Sequence, residues 1–230
     1  MTLLRGHGAA TLSAANRCVG FAYCMPARHR TPAGAARIHR MPLDLSPLPY
    51  EPAALAPHLP PEAIEHRRRA QQAHLDAIKA TLDEDAQAGT SLEQLAREAR
   101  GALAAHAVEA WSDAFLWTSL TPPQPGMPQE PGTALAEALA RAFGDVAGFR
   151  ARFEDAARHL AGSGRLWLVQ RRDGRLAIVA TPPAVSPLTG QDTPLLVCPL
   201  PAGDEERARA LAAFWPLVNW KGIAARMRAT

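Results

Sequence analysis

Between Thr121 and Gly132 the chain reads Thr-Pro-Pro-Gln-Pro-Gly-Met-Pro-Gln-Glu-Pro-Gly. Pro122, Pro123, Pro125, Pro128 and Pro131 fix their own φ angles and remove backbone donors, so no regular helix crosses this stretch. It divides the chain into a first half whose apolar periodicity is wholly helical and a mixed second half. The resulting domain reading is a leader over 1–42, a helical hairpin domain over 43–120, a Pro-rich linker over 121–132 and an α/β domain over 133–230.

Residues 43–61 are Pro-rich and predict extended chain. Pro60-Pro61-Glu62 predicts a helix start, with proline in the first turn and an acid near the positive helix end. From Glu62 to about Leu82, Ala63, Ile64, Ala70, Ala73, Leu75, Ile78 and Leu82 recur at helical spacing. Asp83 to Gly89 reads as a loop. Thr90-Ser91-Leu92-Glu93 has the form of a helix cap, with a helix or two following to about Leu120.

Beyond the linker, helices are expected over 133–143 and 146–161, the second capped by Asp145. Arg165–Val169 and Arg175–Ala180 are apolar, β-prone runs flanking Asp173-Gly174, which is a hairpin signal. Leu195–Cys198 predicts a third strand and Asp204–Ala213 a further helix.

Charge needs to be read by segment. The chain as a whole carries +3, but six of its 25 basic residues lie before residue 43, where there is no acid. The rest, set against 22 acidic residues, is slightly acidic. A basic nucleic-acid face on the folded part is therefore unsupported. The leader is Ala-, Gly- and Arg-rich, as transit peptides are, and lacks the apolar core of a secretory signal. The alternatives are a disordered leader or a start placed too early, since Met41-Pro42-Leu43-Asp44-Leu45 reads as a natural beginning. No apolar run approaches the roughly 20 residues that span a bilayer. Of three cysteines, Cys18 and Cys24 lie in the leader and Cys198 stands alone. No zinc site of the usual spacing is present, and a reducing compartment is the default.

Several segments resemble those of iron/manganese superoxide dismutases. Phe214-Trp215-Pro216-Leu217-Val218-Asn219-Trp220 matches that family's F-W-x-x-V-N-W. Leu48-Pro49-Tyr50 matches its opening L-P-Y, and Trp111-Ser112-Asp113-Ala114-Phe115-Leu116-Trp117 resembles W-N-H-T-F-Y-W. Gly162-Ser163-Gly164-Arg165-Leu166-Trp167-Leu168 resembles G-S-G-W-x-W-L, and Thr193-Pro194-Leu195-Leu196 follows T-P-L-L. The resemblance runs over about residues 46–230. It implies an α+β fold, with an N-terminal helical hairpin followed by helices packed on a three-stranded antiparallel sheet.

Members of that family hold one Fe or Mn with three histidines and an aspartate. Carried over residue by residue, the first ligand position is read as His66, with the chain one residue shorter just before it. The family's gateway tyrosine falls at His74, and its intervening histidines at Ala70 and Gln71. The second ligand position holds Asp113, and the glutamine one turn earlier is Glu109. The alternative glutamine site is Ala184. The D-x-W-E-H-A-Y-Y segment that supplies the remaining ligands is missing between Cys198 and the next helix. Three of four ligand positions are thus not retained.

Two arrangements are open to the remaining residues. Glu109 and Asp113, spaced i, i+4, share a helix face. With His66, His74 and His106 nearby they could form a rebuilt divalent-metal site. Alternatively the two acids face solvent or pair with Arg67–Arg69. The reading adopted is a superoxide dismutase-like protein without catalysis, having a structural or interaction role and no cofactor. The other reading is a metal-dependent superoxide dismutase with Fe or Mn. A protein partner fits the first reading, although the sequence does not identify one. The missing segment also carries part of the family's dimer link, which argues against that homodimer. The location expected is a bacterial cytoplasm, or an organelle if the leader is a targeting segment.

Overall fold

The structure is a computed structural model that describes residues 41–124 and 130–228. The reading of 1–40 as a leader, and the middle of the Pro-rich stretch, lie outside the described residues. Within them the chain has an α+β architecture, as the sequence implies.

A 3-10 turn at Pro52–Leu55 leads into α1 (Pro61–Thr81), then α2 (Glu84–Gly89), α3 (Leu92–Glu98) and α4 (Gly101–Ser119). The expected loop over 83–89 is instead a short helix. Asp83 caps it by accepting from the Ala86 amide, so one carboxylate turns the loop into a helical turn. Ser91 caps α3 by accepting from the Gln94 amide. Gly101 then breaks α3 from α4 at φ 62°, a conformation glycine adopts without steric cost.

After the Pro-rich stretch come α5 (Thr133–Phe143) and α6 (Val146–Arg158), the latter capped by Asp145 on the Gly148 amide. Helix α6 ends earlier than the periodicity suggests. The sheet follows as β1 (Gly164–Gln170), β2 (Leu176–Thr181) and β3 (Thr193–Leu200), in the order β2-β1-β3 with both pairings antiparallel. Leu168 faces Ile178 on one side and Leu196 on the other, and a bulge follows between Leu168 and Val169. Helices α7 (Asp204–Phe214) and α8 (Trp220–Arg226), joined through a 3-10 turn at Trp215–Leu217, complete the fold.

The tryptophans are packing groups. Trp111 of α4 stacks on Trp167 of β1, with centroids 5.8 Å apart, and on Phe115 at 5.1 Å. This couples the helical half to the sheet. A second group joins Phe149 and Phe153 of α6 edge-on to Trp215, and Phe149 to Trp220. Trp111 and Trp167 are fully buried, which leaves no ring face for stacking on nucleic-acid bases.

The F-W-x-x-V-N-W segment ties the end of α4 to α8. Leu120 and Val218 form an antiparallel bridge, and the Asn219 amide donates to the Ser119 carbonyl at 2.9 Å. The Asn219 side chain caps α8 through the Gly222 amide and donates to the Thr118 carbonyl. Arg226 donates to the Leu195 carbonyl and to Thr118, with its guanidinium 4.7 Å from the Phe115 ring centre. Burial pushes its pKa down to about 10.

Candidate functional site

Helix α4 carries both Glu109 and Asp113. It buries Ala107, Val108, Ala110, Trp111, Ser112, Asp113, Phe115, Leu116, Trp117 and Ser119. Asp113 is only 5% exposed, so its charge needs a counter-charge.

That counter-charge comes from α1. The buried residues of α1 are Ile64, Gln71, Leu75 and Ile78. Position 67 lies on the same stripe, three residues after Ile64 and four before Gln71. Arg67 Nη1 donates to Asp113 Oδ1 at 2.9 Å. His66, read from sequence as the first ligand position, is rotated by about 100° from that stripe. Its side is exposed, and the structure does not bring it to Asp113. The residue of α1 that meets the second ligand position is an arginine.

The same one-residue shift runs down the helix. Ala70 is exposed and Gln71 buried, and Gln71 is engaged on both sides. Its amide nitrogen donates to the Ala110 carbonyl at 3.2 Å, and its oxygen accepts from Trp117 Nε1 at 3.0 Å. Leu75, fully buried, follows on the stripe. His74 sits to one side and meets His106 of α4, Nδ1 to Nδ1 at 2.9 Å. That contact requires one ring to donate and the other to accept. Of the three consecutive arginines, Arg68 donates to the Ser46 carbonyl and Arg69 is exposed.

Glu109, one turn before Asp113, is held by a different cation. Arg165, at the head of β1 and 6% exposed, reaches Glu109 with two nitrogens, at 3.1 and 2.5 Å. The Ala184 amide, in a turn at φ 57°, also donates to Glu109, at 2.6 Å. Ala184 thus supplies a backbone donor at the alternative glutamine site. Burial pushes the Glu109 carboxyl up, but Arg165 and the Ala184 amide outweigh it and hold the group below its ordinary value. The balance falls the other way at Asp113, where burial exceeds the pull of Arg67 and raises the carboxyl.

The centre is therefore two acids from α4 neutralised by one arginine from α1 and one from β1. His74, Glu109 and Asp113 lie in one region, but each is paired within the protein, and His66 points elsewhere. Among the described residues no group of three or more His, Cys, Asp or Glu is placed to hold a metal ion. A divalent cation at Asp113 would have to displace or stand beside a guanidinium, a like-charge contact in a poorly solvated place. The residues present do not fit an Fe or Mn centre.

Comparison with known proteins shows where this framework comes from. Residues 131–226 match the iron/manganese superoxide dismutases, C-terminal domain. The iron superoxide dismutase of Escherichia coli (strain K12) is 39% identical over 196 residues, covering 82% of this chain and 100% of that protein. The chain belongs to the iron/manganese superoxide dismutase family. The iron superoxide dismutase of Bordetella pertussis is 36% identical over 184 residues, covering 77% of this chain and 94% of the relative. That of Coxiella burnetii is 29% identical over 187 residues, covering 78% and 95%.

Set in the superoxide dismutase fold, the missing segment is plain. Strand β3 runs to Leu200 and α7 begins at Asp204, with Pro201, Ala202 and Gly203 between them. The pairing of Asp113 with the Arg67–Arg69 run, one of the arrangements open from the sequence, is found at Arg67; Arg165 and the bonding role of Gln71 were not read from the sequence. The buried stripe of α1 was a usable signal for Arg67 and Gln71. A lone arginine heading the apolar run Leu-Trp-Leu-Val was the signal for Arg165.

Proposed function

We propose that this superoxide dismutase family member does not dismutate superoxide and works as a structural or interaction protein on a retained fold. The observation that carries the reading is the ion pair from Arg67 Nη1 to Asp113 Oδ1 at 2.9 Å. A cationic side chain that is part of the chain occupies the contact through which a metal would be held. Structural metal sites bind with roughly 10–16 kcal/mol of free energy, which one carboxylate already paired to arginine does not supply.

The retained packing supports the second half of the reading. The Trp111–Trp167 stack and the closure of α4 by Val218 and Asn219 preserve the framework independently of metal. The reading places the protein in a bacterial cytoplasm, where the buried free thiol of Cys198 stays reduced. No helix among the described residues is long and apolar enough to cross a membrane.

The test is metal content and activity of the full chain, purified after expression with Fe, Mn and Zn supplied in turn. The expected result is metal well below one ion per chain and no dismutase turnover above buffer. Near-stoichiometric Fe or Mn with turnover would establish the other reading, that of a metal-dependent dismutase like its relatives.

A further inference from the structure

We infer that the space beside Arg67 is a binding site for a small amphipathic monocarboxylate. A cavity of about 330 Å³ lies between the segment at His58 and Leu59, the end of α4, the end of β3 and α7. Its walls are formed by Leu116, Leu200, Phe214, Leu217 and other apolar groups, with Arg67 the strongly basic residue among them. Pockets of this size, apolar with one or two polar anchors, are the usual form of small-molecule sites.

Three observations define the ligand. The first concerns Arg67, which donates to Asp113 through Nη1 alone. The rest of its guanidinium makes no hydrogen bond within the described residues, and its side chain is 35% exposed. Nε and Nη2 form a planar fork that fits a carboxylate through two parallel bonds. The second is charge. Arg67 is already shared with Asp113, so a monoanion is accommodated while a dianion such as phosphate meets repulsion from the Asp113 carboxylate. The third is the rest of the lining. Burial pushes the Cys198 thiol well up, so it stays protonated and neutral. With Leu116, Phe214 and Leu217 it favours an apolar body over a polar one.

The site does not rest on the absence of dismutase turnover. Either result for metal and activity leaves it open to its own test.

That test is calorimetric titration of the full chain with octanoate, 1-octanol, acetate and inorganic phosphate. Octanoate is expected to saturate at one site per chain. The alcohol, which lacks the charge, and acetate, which lacks the tail, should each bind at least about ten-fold more weakly. Arg67→Met should weaken octanoate by about ten-fold or more. Ala213→Trp, which fills the cavity from a half-buried position on α7 and leaves both Arg67 and Asp113 in place, should abolish it. Should either variant fail to fold by circular dichroism, the other and the ligand series decide. Absence of saturable octanoate binding would overturn the inference, and so would equal binding of octanoate and octanol. Concentration-dependent dimerisation that Ala213→Trp removes, without octanoate binding, would assign the cavity to a second copy of the chain instead.

Discussion

Asp113 is buried more deeply than the arginine that neutralises it: their side chains are 7% and 35% exposed. The two partners are therefore not equivalent. Removing Asp113 leaves a cation that water can reach, whereas removing Arg67 leaves a carboxylate inside the packed face of α4. In that setting most of the free energy at stake is the desolvation of Asp113 rather than the attraction between the charges.

Arg67→Ala is accordingly expected to cost more stability than Asp113→Asn. The loss should be about 3 kcal/mol, at the low end for a broken buried pair because Arg67 is partly solvated. The double substitution Arg67→Met with Asp113→Leu should recover most of that loss. Urea denaturation of the three variants at neutral pH checks the order.

The acids of the centre respond to pH in opposite directions. Glu109 has a folded-state pKa below its ordinary value. Its contribution is present above the unfolded value of about 4.3 and is lost as pH falls through the folded value. Asp113 has a raised folded-state pKa, so its ionisation weakens folding as pH rises from about 3.9 through that higher value. Glu109→Gln should be less stable than the parent at neutral pH. The gap should narrow as pH falls below about 4.3, and Asp113→Asn should show the reverse dependence. Denaturant midpoints from pH 3 to 7, on the order of eight samples, measure both.

Gln71 ties α1 to two points of α4, the Trp117 indole and the Ala110 carbonyl, through bonds of 3.0 and 3.2 Å. Gln71→Leu keeps the side-chain bulk and leaves the Trp117 indole N–H and the Ala110 carbonyl without these partners. A loss of about 2 kcal/mol is expected. Trp117→Phe in the same background removes the orphaned donor and should cost less than Trp117→Phe alone. A double-mutant cycle by chemical denaturation reads the coupling.

The architecture was legible where local chemistry is sufficient. The Asp173-Gly174 hairpin signal and the Asp145 cap each act within a few residues, and each has its counterpart, in β1–β2 and in α6. The short helix α2 was missed because its cap, Asp83, lay inside what read as a polar loop. The site was harder for a related reason. Matching histidine to histidine selected His66, and a step of one residue on a helix turns a side chain by about 100°. The burial of Ile64, Gln71, Leu75 and Ile78 sets the true facing of α1. An arginine at the head of an apolar strand signals a buried charge, but its partner was beyond reach: Glu109 is 56 residues from Arg165, and no local pattern joins the start of a strand to a helix in the other half.

The tie between α4 and the Val-Asn-Trp segment bears on when this fold can form. Asn219 and Arg226 bond to Thr118 across sequence separations of 101 and 108 residues. The loop they close brings no reward until its far end arrives. On the ribosome, α1 and α4 can pair early, but the carboxyl end of α4 stays unfinished until Asn219 and Arg226 have emerged. An element laid down early in the chain is thus completed from more than a hundred residues downstream, so α4 cannot be finished before α8 has been made.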